Sequence, residues 1–553
     1  MTMETMPRPE HPFPQFERKN WRNLNGTWDF AFDMNRSGLE KGFAQRTEFE
    51  EKILVPFCPE SDLSGIGYKD FIPAVWYHRT LEITEQELEG KVYLHFGAVD
   101  YDCRVFVNGK EAGRHQGGYV SFAFEISTLL QAGENHLVVY AEDDTRSPLQ
   151  PTGKQSDRYA SYACSYTRTT GIWQTVWLEP VDPVHIEALM IRPDVDNSCL
   201  KVRVNASLTT GVSVNINLLD KAGDKVAAIA GGKVGRILTL PIENPHLWSV
   251  DDPYLYDLDI TIIKDGVQTD AVSSYCGMRK IEVKKVGETP RIFLNGEQIF
   301  QMGPLDQGWW PDGLYTAPSD EALLFDIKAM KSLGFNMIRK HIKVEPARWY
   351  MHCDREGILV WQDLPSPNLP SGHEDFAKKT FQEESVRIIE AFRNHPSIIQ
   401  WIVFNEGWGQ FDTERMTQIV QGVVGQTLVC CASGWNDADI GDIKDSHSYP
   451  DPSCPLDRNR AAVCGEYGGI TLKVQGHVWP GGDFQYTTVE TGGDFTVLFN
   501  RLADKIKDYY YYGLNAAVYT QLSDVEIERN GILTYDRRVL KPYSATGELK
   551  AII

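Results

Sequence analysis

No stretch of the chain approaches the roughly 18 consecutive apolar residues that a membrane-spanning helix needs, so no span is expected. A basic excess is also missing. The 55 Lys+Arg against 76 Asp+Glu give a formal net charge of −21, which argues against nucleic acid and anionic membranes as partners, since both reward basic patches. The opening MTMETMPRPEHPFPQF has no apolar core like that of a secretory leader. A cytoplasmic location is the corresponding expectation, or a periplasmic or secreted one if a leader precedes it. The ten cysteines show no CxxC spacing, which excludes the common structural zinc patterns. Several, including Cys430, Cys431 and Cys464, lie in apolar runs and read as reduced core thiols.

What is present is a change of period along a chain too long for one core, 553 residues. From about 21 to 180, short strands alternate with turns (GTWDFAFD, VWYHRTLEI, GKVYLHFG, CRVFVNGKEAG, IWQTVWLEP), the pattern of an all-β sandwich. Asn108-Gly109 marks a tight hairpin there. Residues 184–283 alternate in LKVRVNASL, VSVNINLLD and LYDLDITII, which fits a smaller immunoglobulin-like sandwich. Beyond 291, strand and helix alternate. Strands are predicted at 299–304, 335–339, 358–362, 397–406, 427–431, 443–448, 461–467 and 516–522, with helices at 319–333, 345–355, 374–394, 414–424 and 493–512. Eight such strands in about 260 residues imply a (β/α)8 TIM barrel. The expected domains are therefore 1–181, an all-β sandwich; 182–283, an immunoglobulin-like sandwich; and 284–553, the barrel.

Two barrel strands end in a carboxylate followed by glycine and an aromatic: SIIQWIVFNEGWGQ (397–410) and AAVCGEYGGI (461–470). Barrel active sites form at the carboxyl ends of the strands, so Glu406 and Glu466 would face one mouth. Retaining glycosidases need two carboxyl groups about 5 to 5.5 Å apart, one as nucleophile and one as acid and then base. The plainer alternative for Glu406 taken alone is a carboxylate that caps the next helix.

With that order of elements, the chain resembles glycoside hydrolase family 2, the β-galactosidase and β-glucuronidase family, over nearly its whole length, which implies a jelly-roll sandwich for 1–181, then the immunoglobulin-like domain and a catalytic barrel. The marks are LNGTWDF (24–30), VPFCPES (55–61), GIWQTVWLE (171–179), LNGEQIF (294–300), FNMIRKH (335–341), WQDLPS (361–366), FNEGWG (404–409) and GEYGG (465–469). The resemblance implies Glu406 as acid/base and Glu466 as nucleophile. It also implies Asn405 as the partner of the sugar 2-OH, Arg339 as a cation against the nucleophile, and Tyr449 as its phenolic contact, with His447 a rival for that place. Three departures bear on specificity. NGILTYD (530–536) lacks the Asn-x-Lys by which β-glucuronidases grip a sugar carboxylate; WQDLPS lacks the Glu-x-His of magnesium-dependent β-galactosidases; and AAVYTQLSD puts Tyr519 near the place of the strand 8 tryptophan.

The further candidates each carry a second reading. Trp309, Trp310 and Trp479 are sugar-stacking platforms or loop anchors. His341 is a substrate contact or a histidine satisfied by neighbouring strands. Asp306 and Asp363 bind sugar hydroxyls or cap their turns, and His373 and His395 look structural. The expected function is a retaining, exo-acting β-glycosidase of β-galactosidase type, without cofactor or metal, that takes an oligosaccharide or glycoside, with no nucleic acid or membrane partner and with homo-oligomerisation left open. The same frame hosts galacturonidases, glucuronidases, mannosidases, galactofuranosidases and arabinofuranosidases. From other classes, a metal-dependent barrel hydrolase would need a His-x-His that FQMGPLD lacks. A carbohydrate-binding protein on an inactive barrel is opposed by the presence of both glutamates.

Overall fold

A computed structural model describes residues 6–366 and 375–542; His373 lies outside them. The first sandwich packs a six-stranded antiparallel sheet, ordered 51–55, 26–32, 74–83, 133–142, 102–107, 110–116, on a four-stranded one. Trp28, Phe30, Val75, Tyr77, Leu94, Phe96, Val105 and Val139 fill the space between them. Asn108 and Gly109 both have positive φ, 51° and 75°, and join Val107 to Lys110 in register, the two-residue turn that Asn-Gly favours. The second sandwich sets a three-stranded sheet on a four-stranded one. Its strand Val212–Leu219 shows strict alternation, Val212, Val214, Ile216 and Leu218 being buried, as expected for a sheet with one face on the core.

The barrel comprises eight strands: β1 (Gln301–Asp306), β2 (Met337–Lys340), β3 (Leu359–Asp363), β4 (Ile398–Asn405), β5 (Leu428–Ser433), β6 (Ile443–His447), β7 (Ala461–Gly468) and β8 (Leu514–Thr520). Their order, 5-4-3-2-1-8-7-6, and parallel pairing make a nearly closed barrel. Its seam between β5 and β6 is bridged where the Asp442 carboxylate accepts the Val429 N–H at 2.8 Å. Helices follow β1 (α1, Asp320–Ser332), β2 (α2, Ala347–Glu356), β3 (α3, Asp375–Phe392), β4 (α4, Thr413–Val424) and β7 (α5, Gly492–Tyr512). The capping follows the sequence: Ser319 caps α1, and Thr491 with Asp494 forms a capping box on α5.

Two buried layers show how the strands divide their side chains. Met337, Leu359, Trp361, Cys430, Val463, Ala516 and Val518 share the barrel interior with Ile281, Ile292 and Leu294 of a hairpin that plugs its base. Ile338, Val360, Cys431, Cys464, Ala517 and Tyr519 pack outward under the helices. Arg339 and Asp363 continue the inner rows at the carboxyl end, whereas Lys340 continues the outer row.

The sandwiches are tied to the barrel by polar contacts. Glu384 of α3 accepts the Tyr119 N–H at 3.0 Å, and burial pushes its carboxyl up to about 7 against that hydrogen bond. At the mouth, Tyr166 donates to Glu528 and the Thr167 N–H donates to Glu526 at 3.0 Å. The long loop between strands Gly133–Glu142 and Gly171–Ile172 therefore forms one wall of the mouth.

Candidate active site

At the end of β4 the chain turns sharply. Glu406 has φ 53° and Gly407 φ 79°, a left-handed conformation that a residue with a Cβ adopts only when its surroundings hold it there. One restraint is visible: the exposed Trp435 donates its indole N–H to the Glu406 carbonyl at 2.8 Å. Glu406 Oε1 then lies 2.7 Å from His447 Nδ1. The same nitrogen is 3.5 Å from Glu466 Oε2, so β4, β6 and β7 bring three titratable groups together. One oxygen of each carboxylate and a nitrogen of His447 all fall within 4.8 Å of one another.

Glu466 is buried. Arg339 Nη1 stands 3.3 Å from its Oε1, and the Tyr449 hydroxyl donates to its Oε2 at 2.5 Å. Burial alone would push this carboxyl up. The positive fields of His447, His341 and Arg339, together with the Tyr449 hydrogen bond, overcome it and bring the pKa down to about 2. Arg339 is fully enclosed and its donors are all spent: it forms a bidentate pair with Asp363 at 2.9 and 3.1 Å, and bonds to the Asn405 side-chain oxygen at 2.8 Å and to the Gly465 carbonyl at 3.0 Å. That bond fixes the amide of Asn405 so that its Nδ2 is left buried without a protein partner, a donor kept for something else.

His447 carries charge. Its Nε2 reaches Ser433 Oγ at 2.7 Å, and Ser433 donates in turn to Asp445 at 2.5 Å. With the hydroxyl proton committed to Asp445, Nε2 must donate, and Nδ1 donates to Glu406, which makes the ring an imidazolium. Burial opposes that charge, but Glu466, Glu406 and Asp445 raise the pKa above the usual value. Glu406, His447 and Glu466 are spaced as three ligands of a cation would be; the imidazolium proton itself supplies positive charge between the two carboxylates.

Of the other candidates, Asp363 and His341 stay beside Glu466 as supports and the rest lie elsewhere. Asp363 is consumed by Arg339 and by His341 Nδ1 at 2.7 Å, and His341 Nε2 stands 3.9 Å from Glu466. Asp306 pairs with Lys340 at 2.5 Å, whose ammonium lies over the Trp349 ring of α2. Trp309, Trp310 and Trp479 gather in a separate crevice with Tyr535 and Arg537; the Trp309 indole is tied to the Thr167 carbonyl at 3.2 Å. Tyr519 faces outward onto Phe495 and Phe499 of α5. The hydroxyl of its neighbour Thr520 reaches Tyr449 at 2.8 Å. His395 bonds Asp354 at 2.6 Å beneath the second sandwich.

Residues absent from the sequence reading also border the site. Ser433 and Asp445 support His447, and Tyr486 stacks on Tyr449 with ring centroids 4.3 Å apart; Trp408, the aromatic already read in the FNEGWG turn, follows Glu406 by two residues. Lys154, from the first sandwich, lies 4.4 Å above the Trp408 ring. Asp445 lies on the same strand face as His447, whereas Ser433 falls on the parity of outward-facing Cys431, and no local pattern marks Lys154.

Three family models match the chain: the sugar-binding domain of glycosyl hydrolases family 2 over residues 21–147, glycosyl hydrolases family 2 over 184–279, and its TIM barrel domain over 316–552. A putative β-glucuronidase of Formosa agariphila is 29% identical over 412 residues, 72% of this chain and 48% of that protein. A β-galactosidase of Thermoanaerobacter pseudethanolicus is 26% identical over 363 residues, 62% of this chain and 46% of that protein. The chain thus spans about half the length of these relatives. The β-glucuronidase of Ruminococcus gnavus in complex with D-glucuronic acid superposes with a TM-score of 0.78 at 18% identity, covering 97% of this chain and 98% of that one, which is a likeness of fold.

Proposed function

The chain belongs to glycosyl hydrolases family 2, and we propose that it is a retaining, exo-acting β-glycosidase with Glu466 as nucleophile and Glu406 as acid/base. The observation that carries this reading is the pair of carboxylates with oxygens within 4.8 Å, the separation class of retaining enzymes. Glu466 attacks the anomeric carbon as the carboxylate that Arg339, His447 and Tyr449 keep ionised. The leaving oxygen takes the one proton that the Glu406–His447 pair holds. Water then loses a proton to Glu406 as it attacks the glycosyl-enzyme, and the pair is reset. Asn405 Nδ2 donates to the sugar 2-OH, where a hydrogen bond that strengthens in the transition state is most effective.

The wall built by the loop from the first sandwich favours action at chain ends. Oligosaccharides or simple glycosides are the substrates on this reading, and the missing Asn-x-Lys favours a β-galactosidase-like specificity. The β-glucuronidases among its relatives favour a uronide.

A 2-deoxy-2-fluoro glycoside should label Glu466, and Glu466→Gln should fold yet lose several orders of magnitude in kcat. Glu406→Ala should release dinitrophenol in a burst, turn over slowly, and recover with azide to give a glycosyl azide of retained configuration. Label on another residue, or an azide of inverted configuration, would refute the assignment.

A further inference from the structure

Cations around the barrel mouth are neutralised within the fold. Arg339 pairs with Asp363 and Glu466, Lys340 with Asp306 and Glu345, Lys343 with Glu345, Arg537 with Asp326, and Lys541 with Asp524. Lys154 differs. It is 5% exposed, and among the described residues no carboxylate approaches its ammonium within 4.0 Å. Its neighbours are the Trp408 ring and the Cys164 thiol. Burying an ammonium without a carboxylate at contact distance is costly, so its surroundings must hold it firmly.

The backbone around it is held in that way. The Tyr166 N–H donates to the Lys154 carbonyl and the Ser156 N–H to the Tyr166 carbonyl, both at 2.8 Å. Gln155 donates to Asp100 at 2.6 Å and accepts the Thr169 N–H at 2.7 Å. Gly153, at φ 57°, leaves no room for a side chain: a Cβ there would stand 2.5 Å from the Tyr119 hydroxyl and 3.0 Å from the Ile342 carbonyl. The loop is thus pressed against the turn that carries His341, with the ammonium held over the residue two places beyond Glu406. Burial disfavours its charge, but Cys164, Glu528, Glu466 and Glu406 favour it by more, so the group stays protonated.

The position where related β-glucuronidases are expected to place their lysine is occupied by buried Ile532. Asn530, two residues earlier, spends its amide on Glu528 at 3.0 Å. The barrel therefore offers no cation there, while the sandwich loop delivers Lys154, whose ammonium feels the same Glu528 carboxylate that Asn530 bonds.

We propose that Lys154 is the specificity-determining cation of the sugar pocket and binds a carboxylate on the terminal sugar, so that the substrate is a β-linked uronide. This rests on the glycosidase reading above and reverses the neutral-sugar preference drawn from the missing Asn-x-Lys.

The test measures kcat/KM for p-nitrophenyl β-D-glucuronide and β-D-galacturonide against the matching glucoside and galactoside. Wild type should prefer one uronide over its neutral counterpart by at least about 10-fold. Lys154→Met should cost that uronide roughly 100-fold, the scale of a lost charge-assisted hydrogen bond, with a much smaller loss on the neutral sugar, and Lys154→Arg should recover part of it. If Lys154→Met does not fold, competitive inhibition of wild type decides: the free uronic acid should bind more tightly than the neutral sugar. Preference for neutral glycosides, an equal loss on both classes in Lys154→Met, or uronic acids that bind no better than neutral sugars would each overturn the inference. A chain that cleaves none of the four and is not labelled at Glu466 fails instead as a glycosidase.

Discussion

His447 shows how one side chain sets the charge state of a whole site. Its imidazolium sits 2.7 Å from Glu406 and 3.5 Å from Glu466, and after burial its field is the first influence on the Glu466 carboxyl. Because the folded pKa of Glu466 is depressed to about 2, its ionisation stabilises the fold above the unfolded value of about 4.3, and that contribution is lost as pH falls through about 2. The same shift governs rate. With a dinitrophenyl glycoside, which needs no acid, wild-type kcat/KM should show no loss of the nucleophile between pH 5 and about 3. His447→Gln removes the leading positive charge, so the acid limb should move upward by at least about one pH unit. A pH profile unchanged by the substitution would show that Arg339 and Tyr449 suffice. This role was only half legible in the sequence: DSHSYPDP placed His447 and Tyr449 at a strand end as rivals, whereas the fold uses both, the ring bridging two carboxylates and the phenol holding one.

At the scale of the strand, parity decides which candidates meet, except on β7, where a register shift between Cys464 and Tyr467 turns Glu466 into the site although it shares the parity of outward Cys464. Arg339 and Asp363 follow Met337 and Trp361 on inner rows, and both reach the site; Lys340 falls on the outer row with Ile338, and takes Asp306 with it. Tyr519 is buried outward for the same reason, next to inward-facing Val518. The strands and helices themselves were readable to within about two residues, since β-branched runs between capped amphipathic helices admit little else. Parity was not, because a one-residue shift reverses every side chain and apolar runs such as IIQWIVF carry no alternation. The close contact of β1 with β2 gives a sharp test. A Cβ on Gly303 would lie 1.7 Å from the Met337 carbonyl oxygen, backbone that can yield only by opening the barrel. Gly303→Ala should therefore lose about 3 kcal/mol or more in denaturant unfolding, or fail to accumulate as soluble protein. Gly422, in α4 with nothing within 4 Å of its added Cβ, is the control: alanine there should gain about 0.5 to 1 kcal/mol from helix propensity.

Across the whole molecule, the site depends on parts remote in sequence, and this is what no local pattern conveys. Lys154 lies some 250 residues before Glu406 in a loop without period, and its position over Trp408 exists only once sandwich and barrel are docked. The docking is enforced in part by the segment before the first strand. Asn25 bonds the Pro7 carbonyl at 3.1 Å, and Gln15 bonds carbonyls of Tyr275 and Asn394 at 3.3 and 3.2 Å, so this segment touches all three domains. Arg18 is its anchor. It donates to Glu179 of the first sandwich at 2.7 Å and to Asp270 of the second at 3.0 Å, and it also bonds the Ile186 carbonyl. Burial would raise the Glu179 carboxyl, but His11, His95 and Arg18 hold it far below the usual carboxylate range. Arg18→Ala leaves two carboxylates crowded between the sandwiches without their common cation, which should cost about 3 to 5 kcal/mol near neutral pH. The pH dependence identifies the cause. A depressed folded pKa contributes stability above the unfolded value of about 4.3 and loses it below, so the gap between wild type and Arg18→Ala in thermal melts should be widest from pH 5 to 7. It should narrow as pH falls below about 4, where the variant can protonate Glu179 more readily than wild type. A gap constant from pH 7 to 3.5 would assign the loss to packing of the arginine stem, and would leave the charge bridge between the sandwiches without support.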